Sequence, residues 1–245
     1  MIAKIGIDPG HGGSSSGTYS VKSTADGLFE KDFALELGLM IEEKLALNGF
    51  KVVMTRREDK NPGTVTKRAE KMIGENVDFA LSVHFNGFNN SSANGTEIFV
   101  PYGEKYADVE SGLYTALGKY FKIRNPFARS SDYYNRNDIF DKKLDINTKK
   151  FGAVENKNDY FGFIRTCWEK GVSADLLEIC FLTNPEDFEN YQKNKEKIAD
   201  DIARSIVEGF GEKYHSMENV TAKKMKPRIA VKGTDFLFGE GVLLP

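Results

Sequence analysis

Residues 5–13 read Ile5-Gly6-Ile7-Asp8-Pro9-Gly10-His11-Gly12-Gly13. An apolar run ended by Pro and Gly is the pattern of a strand stopped at a sharp turn, and this turn presents a histidine. The pattern recurs at Phe79-Ala80-Leu81-Ser82-Val83, a short run of the kind buried on both faces, which ends in His84-Phe85-Asn86-Gly87. In open α/β sheets the loops beyond the carboxyl ends of strands are where ligands collect. Two strand-end histidines, in a chain with only three histidines, therefore point to one rim.

Strand-like and helix-like segments alternate from Ile2 to about Tyr214, which predicts an α/β domain. A Gly/Ser-rich loop follows the first strand from His11 to Gly27, longer than an idle connection needs to be. A helix is expected over 31–47, with Leu37, Met40, Ile41 and Leu45 inward and Asn48-Gly49 as its stop, then a strand over 50–55. Asn61-Pro62-Gly63-Thr64 leads into a second helix over 65–75. Further strands are expected at 96–100, 161–166 and 174–179, and a helix at 107–121. Asn184-Pro185 opens a long helix whose stripe is Ile198, Ile202, Ile206 and Phe210. Residues 124–159 have no clean period and read as irregular loops with room for one short helix.

The remaining thirty residues, 216–245, change character, with Lys223, Lys224, Lys226 and Arg228 ahead of a strand-like 228–231. They read either as a basic linker into a second, truncated or degenerate module or as a tail that packs back, with 1–215 as the main domain. A formal charge of -2 with 40% hydrophobic and 29% charged residues describes an ordinary globular chain and gives no reason to expect nucleic acid. No run approaches the ~18 apolar residues of a membrane span, and Met1 runs almost directly into a strand rather than a signal peptide. Cys167 and Cys180 show neither a CxxC pair nor disulfide-scaffold density and are expected to be reduced, buried thiols.

His11, His84 and Glu30, the last at the start of the first helix, form a three-ligand set of two imidazoles and a carboxylate. That set suits Zn²⁺ and leaves a fourth position for water. Each residue alone has a plainer reading: a histidine beside Gly is often a turn residue, and a carboxylate at a helix N-terminus is favoured by the macrodipole. Glu178 lies inside the apolar run Leu176-Leu177-Glu178-Ile179-Cys180-Phe181, where an unpaired ionised carboxylate is expensive. Either it pairs with a cation such as Arg68 or Arg165, or it is a general base tuned by partial burial and a nearby metal. His215 lies beyond the long helix beside a polar tail and is assigned no role.

Five stretches together resemble a known family: IGIDPGHGG (5–13), LFEKDFALELGLMIEEKLALNGFKVVMTR (28–56), DFALSVHFNG (78–87), GTEIFV (95–100) and ADLLEICFLTNPED (174–187). In this order they resemble the zinc-dependent N-acetylmuramoyl-L-alanine amidases of the Amidase_3 type, cell-wall hydrolases that include autolysins, germination enzymes and phage endolysins. The resemblance covers about Ile2 to Tyr214. It implies a three-layer α/β sandwich with a mixed, mostly parallel sheet of about six strands and helices on both faces. It implies Zn²⁺ held by His11, Glu30 and His84, with Glu178 as catalytic base. Asn86 falls in the pocket-lining part of its motif, and Arg68 matches a recurrent arginine that supports the site. The implied substrate is bacterial peptidoglycan, cut at the amide between N-acetylmuramic acid and L-alanine.

The chain departs from the family in the long 124–159 segment, rich in Tyr, Phe, Asn and Arg, which is expected to line the substrate groove, the alternative being species-specific decoration. Two rival readings are a wall-binding module that has lost its chemistry and a zinc peptidase cutting elsewhere in the stem peptide. A costly carboxylate at Glu178 speaks against the first. Without a leader, the expected route to the wall is holin release or cell lysis, as for a phage or prophage lysin. A monomer is the favoured state.

Overall fold

The structure is a computed structural model that describes residues 3–21, 28–101, 105–125, 127–128, 134–135 and 161–216. The opening stretch forms strand β1 (Lys4–Pro9). Its alternation sends Ile5 and Ile7 into the larger apolar core, while Gly6 meets Met72 and Asp8 meets Arg68 on the opposite face. Helix α1 (Glu30–Leu47) lays Phe33, Leu37, Ile41 and Leu45 on the Ile5 face. Each of the last three is completely buried, worth about 1.5–3 kcal/mol apiece relative to exposure.

Strands β2 (Lys51–Met54), β3 (Phe79–Asn86), β4 (Thr96–Phe99), β5 (Ile123–Asn125) and β8 (Ser173–Phe181) complete a six-stranded sheet in the order β2-β1-β3-β8-β4-β5. Every pairing in it is parallel except β4 with β8. A separate antiparallel pair joins β6 (Phe127–Ala128) to β7 (Tyr134–Asn135). On one face lie α1, α3 (Ala107–Leu117) and α5 (Pro185–Gly209), which share the larger core with Leu81, Val83, Ile98 and Leu177. On the other lie α2 (Val65–Gly74) and α4 (Gly162–Glu169), over a smaller cluster of Ala69, Met72, Ala80, Phe163, Cys167 and Ala174. This is the three-layer α/β sandwich expected.

Local signals set the helix starts. Thr64 caps α2 by accepting from the Lys67 N–H at 3.3 Å, and Asn184 caps α5 by accepting from the Asp187 N–H at 2.9 Å, with Pro185 just inside. At α1 the cap is reversed: Asp32 reaches back to the Phe29 N–H at 2.8 Å.

Two expectations need correction. Residues 161–166 are not a strand; Gly162–Glu169 is helix α4, with Phe163, Ile164 and Cys167 buried at helical spacing. The helix expected over 107–121 ends at Leu117, where Gly118 takes over. Cys167 and Cys180 are buried and unbridged, and burial pushes the Cys167 thiol up to about 12. No helix among the described residues is long and apolar enough to cross a membrane. The chain divides into a unit Met1–Tyr214 and a unit His215–Pro245. The strand expected at 228–231 and the basic run before it lie outside the described residues, as does most of 124–159.

Candidate metal centre

β3 runs through His84 to Asn86, so His84 stands within the strand end rather than after it. Alternation from Ala80 and Ser82 turns His84 to the α2/α4 face. His11 follows β1 in the left-handed backbone region, at φ 60°, which non-glycine residues seldom occupy. The turn is held by paired backbone bonds between Gly12 and Ser15, at 2.9 and 3.1 Å, and by Ser15 Oγ at 3.0 Å from His11 Nδ1. That leaves Nε2 facing the Glu30 carboxylate.

Glu30 Oε1 lies 3.2 Å from His11 Nε2 and 2.9 Å from His84 Nδ1, and ligand atoms of all three residues fall within 4.8 Å of one another. A tetrahedral ion with bonds of about 2.0–2.1 Å separates its ligands by roughly 3.3 Å; the His11–Glu30 edge matches that spacing, and the His84–Glu30 edge is at hydrogen-bond length. The carboxylate is fixed from behind: the Phe85 N–H donates to Oε1 at 3.1 Å and the Thr18 N–H to Oε2 at 2.9 Å. Burial pushes the Glu30 carboxyl up, but hydrogen bonds and charge from His11 and His84 outweigh it and hold the group well below the usual carboxylate range. Two glycines admit this packing. A Cβ at Gly10 would stand 2.5 Å from the His84 ring, and one at Gly17 would stand 2.4 Å from Glu30 Oε2. The two imidazoles meet edge to face at 5.0 Å between centroids.

Glu178 pairs in register with His84 on one side and Glu97 on the other, so all three side chains leave the same face of the sheet. Its Oε2 is enclosed without a hydrogen-bond partner. Burial pushes the carboxyl well above its ordinary value, and the charges of Glu30 and Glu97 push the same way. Of the two cations weighed for it, Arg68 is engaged elsewhere, its Nη1 donating to Asp8 Oδ2 at 2.8 Å. Asp8, fully buried, also accepts from Ser82 Oγ at 2.8 Å and Thr55 Oγ1 at 2.7 Å. Arg68 thus supports the sheet beneath the centre. Asn86 Nδ2 donates to Glu97 Oε2 at 2.7 Å and its Oδ1 accepts from the Gly87 N–H at 3.1 Å, so the amide is held at both ends beside Glu178.

The N-acetylmuramoyl-L-alanine amidase family model, Amidase_3, matches residues 5–208. The chain belongs to this family. Among relatives of the Amidase_3 chain, the germination-specific N-acetylmuramoyl-L-alanine amidase of Bacillus subtilis is 27% identical over 224 residues, covering 85% of this chain and 80% of that protein. The uncharacterized protein YqiI of the same organism is 31% identical over 131 residues, with 52% of this chain and 60% of that protein covered. The probable cell wall amidase LytH of Staphylococcus epidermidis is 26% identical, over 83% of this chain and 54% of its own length. The match thus spans between about half and four fifths of these relatives. The catalytic domain of CwlV, an N-acetylmuramoyl-L-alanine amidase from Paenibacillus polymyxa, has the same fold, with a TM-score of 0.58 at 23% identity over 86% of this chain and all of that one.

Within the Amidase_3 frame, Glu97 and Asp8 are the residues that sequence reasoning passes over. Glu97 carries the same signal as Glu178, a carboxylate set in an apolar strand beside Ile98 and Phe99, but in the sequence it reads only as part of a motif. Asp8 stands in the opening stretch itself, and an acid between Ile7 and Pro9 in a buried strand demands partners.

Proposed function

We propose that the chain hydrolyses the amide joining the lactyl group of N-acetylmuramic acid to L-alanine of the peptidoglycan stem, using Zn²⁺ held by His11, Glu30 and His84. One observation carries the reading. Two imidazoles and a carboxylate converge within 4.8 Å beside a second carboxyl, Glu178, which has an enclosed oxygen and no partner. When bound, Zn²⁺ supplies Lewis acidity toward water and toward an amide carbonyl.

The remaining chemistry is the chain's own. Ser15 and the Phe85 and Thr18 N–H groups orient His11 and Glu30 before any ion arrives. Glu178 binds a proton more tightly than an exposed carboxyl does, for the burial and charge reasons above. It therefore suits a base that removes a proton from attacking water and returns it to the leaving nitrogen, a role worth roughly 10²–10⁴-fold in rate. Asn86 and Glu97 line the same side and orient one another.

The test is digestion of purified peptidoglycan with labelling of new amino termini. L-alanine termini without new reducing sugar ends are expected. Reducing ends, or termini from elsewhere in the stem, overturn the amidase reading. In Glu178→Gln, zinc stays bound while turnover falls by orders of magnitude; undiminished turnover removes Glu178 from the reaction.

A further inference from the structure

Arg56, the residue that ends the stretch 28–56, is 5% exposed, and its acceptors are backbone carbonyls. Nη2 donates to Gly10 O and to Lys31 O, both at 2.7 Å, Nε donates to Pro9 O at 3.1 Å, and Nη1 reaches Glu58 O at 3.4 Å. Gly10 immediately precedes His11, and Lys31 immediately follows Glu30. A single nitrogen therefore bridges the two backbone segments that carry two of the three ligands.

The arrangement is built closely. A Cβ at Gly12 would stand 3.0 Å from both Cδ and Nε of Arg56, so the turn lies directly on the guanidinium stem. Burial lowers the affinity of this guanidinium for its proton, Asp59, Asp8 and Asp32 offset part of that from nearby, and Arg68 pushes the same way as burial. The turn it holds includes the left-handed His11, a strained conformation that persists only where its surroundings over-determine it. A second tie runs alongside: Lys31 Nζ donates to Gly13 O at 3.0 Å and to Asp59 Oδ2 at 2.6 Å, and Asp59 Oδ1 accepts from the Gly13 N–H at 2.8 Å.

We infer that Arg56 is a positioning residue for the metal centre: it fixes the separation of His11 and Glu30 by gripping the backbone on the far side of each. The inference rests on the reading of His11, Glu30 and His84 as metal ligands. A lysine at this position keeps the charge but not the planar fork that serves three chain segments at once. Interactions that orient metal ligands from behind are typically worth 10–100-fold in metal affinity.

The test measures zinc affinity of the metal-free, folded protein by competition with a chromophoric chelator, and the visible bands of the Co²⁺-loaded form. Arg56→Lys and Arg56→Gln are expected to bind zinc roughly 10–100-fold more weakly and to shift the Co²⁺ bands. Arg57→Gln, which loses only an exposed pairing with Glu42, is expected to leave both unchanged. Near-ultraviolet circular dichroism below the melting temperature establishes that each variant is folded; Arg56→Lys is the milder change should Arg56→Gln unfold. A purely structural arginine would lower the melting temperature and leave zinc affinity and the Co²⁺ spectrum of the folded protein as in the wild type. That result overturns the inference. If the wild-type chain itself binds no zinc, the metal reading falls and this inference with it; wild-type binding with unaltered Arg56 variants removes the inference alone.

Discussion

Replacing Asp8 by alanine removes the acceptor for three donors at once, Arg68 Nη1, Ser82 Oγ and Thr55 Oγ1. Asp8 and Ser82 are fully buried and Arg68 is 8% exposed, so water cannot take over these bonds. Stripping one partner from a buried ion pair costs about 3–5 kcal/mol, because the remaining charge is left unpaired in a poor solvent. In a domain of this size each kcal/mol moves the melting temperature by about 2–4 °C, so a fall of roughly 6–20 °C is expected. The decisive arm is the double variant Asp8→Ala/Arg68→Met. Removing the stranded guanidinium replaces an unpaired charge with an apolar side chain between the sheet and α2, and the double variant should regain at least about 1 kcal/mol over Asp8→Ala. Urea unfolding of the metal-free protein, followed by fluorescence of its single tryptophan, Trp168, measures all four corners of the cycle. An Asp8→Ala cost below about 1 kcal/mol, or a double variant no more stable than the single, would refute the pairing argument. Loss of turnover in Arg68→Met at unchanged stability and zinc affinity would make Arg68 a substrate contact instead.

Three further outcomes are expected. The Glu178 carboxyl is raised in the folded state, so the stability its proton confers is fully present below the unfolded value of about 4.3 and is lost as pH rises through the folded value. Metal-free Glu178→Gln should therefore melt with the wild type near pH 4 and above it near pH 8; equal melting temperatures at both values would sink the assignment. Removing zinc with a chelator should lower the melting temperature, and restoring free zinc to a hundredfold excess over Kd should return about 2.7 kcal/mol, whereas a chelator-insensitive melt argues against a metal centre. Gly10→Ala should displace the His84 ring and weaken zinc binding roughly tenfold or more, while Gly74→Ala, with nothing within 4 Å of a new Cβ, leaves it unaltered. Chelator competition on both variants checks this.

The elements that carry the centre were legible because each has a short-range signature. β1 and β3 are apolar runs closed by Gly-containing turns, and Asn184-Pro185 opens α5 with a cap and a proline at the first position. Segment 161–166 misled because Phe-Gly-Phe-Ile-Arg-Thr is rich in aromatic and β-branched residues; its helical stripe becomes visible only when Cys167 is included with Phe163 and Ile164. The expectation of about six strands was met by a different member, β5, which occupies the start of a segment read as irregular. Three residues at the sheet edge, paired only with β4, are too few for any periodicity. At the centre, His11, Glu30 and His84 could be nominated one by one from element ends, but Arg56 could not. Its partners are carbonyls, and carbonyls leave no trace in side-chain sequence.

The reversed direction of β4 has a consequence for how this scaffold can change. β3 ends and β4 begins at the same rim while β8 lies between them, so residues 87–95 must cross over the end of β8. That crossing is moored to the turn and helix start just beyond β8: the Phe88 N–H donates to Thr183 Oγ1 at 3.0 Å, Asn184 Nδ2 to Ser91 O at 2.7 Å, and the Gly95 N–H to Asp187 Oδ2 at 2.7 Å. Length and composition can therefore drift between Phe88 and Asn94 without re-registering a single strand. This is a bridge that can be rebuilt while the ground on both banks stays fixed.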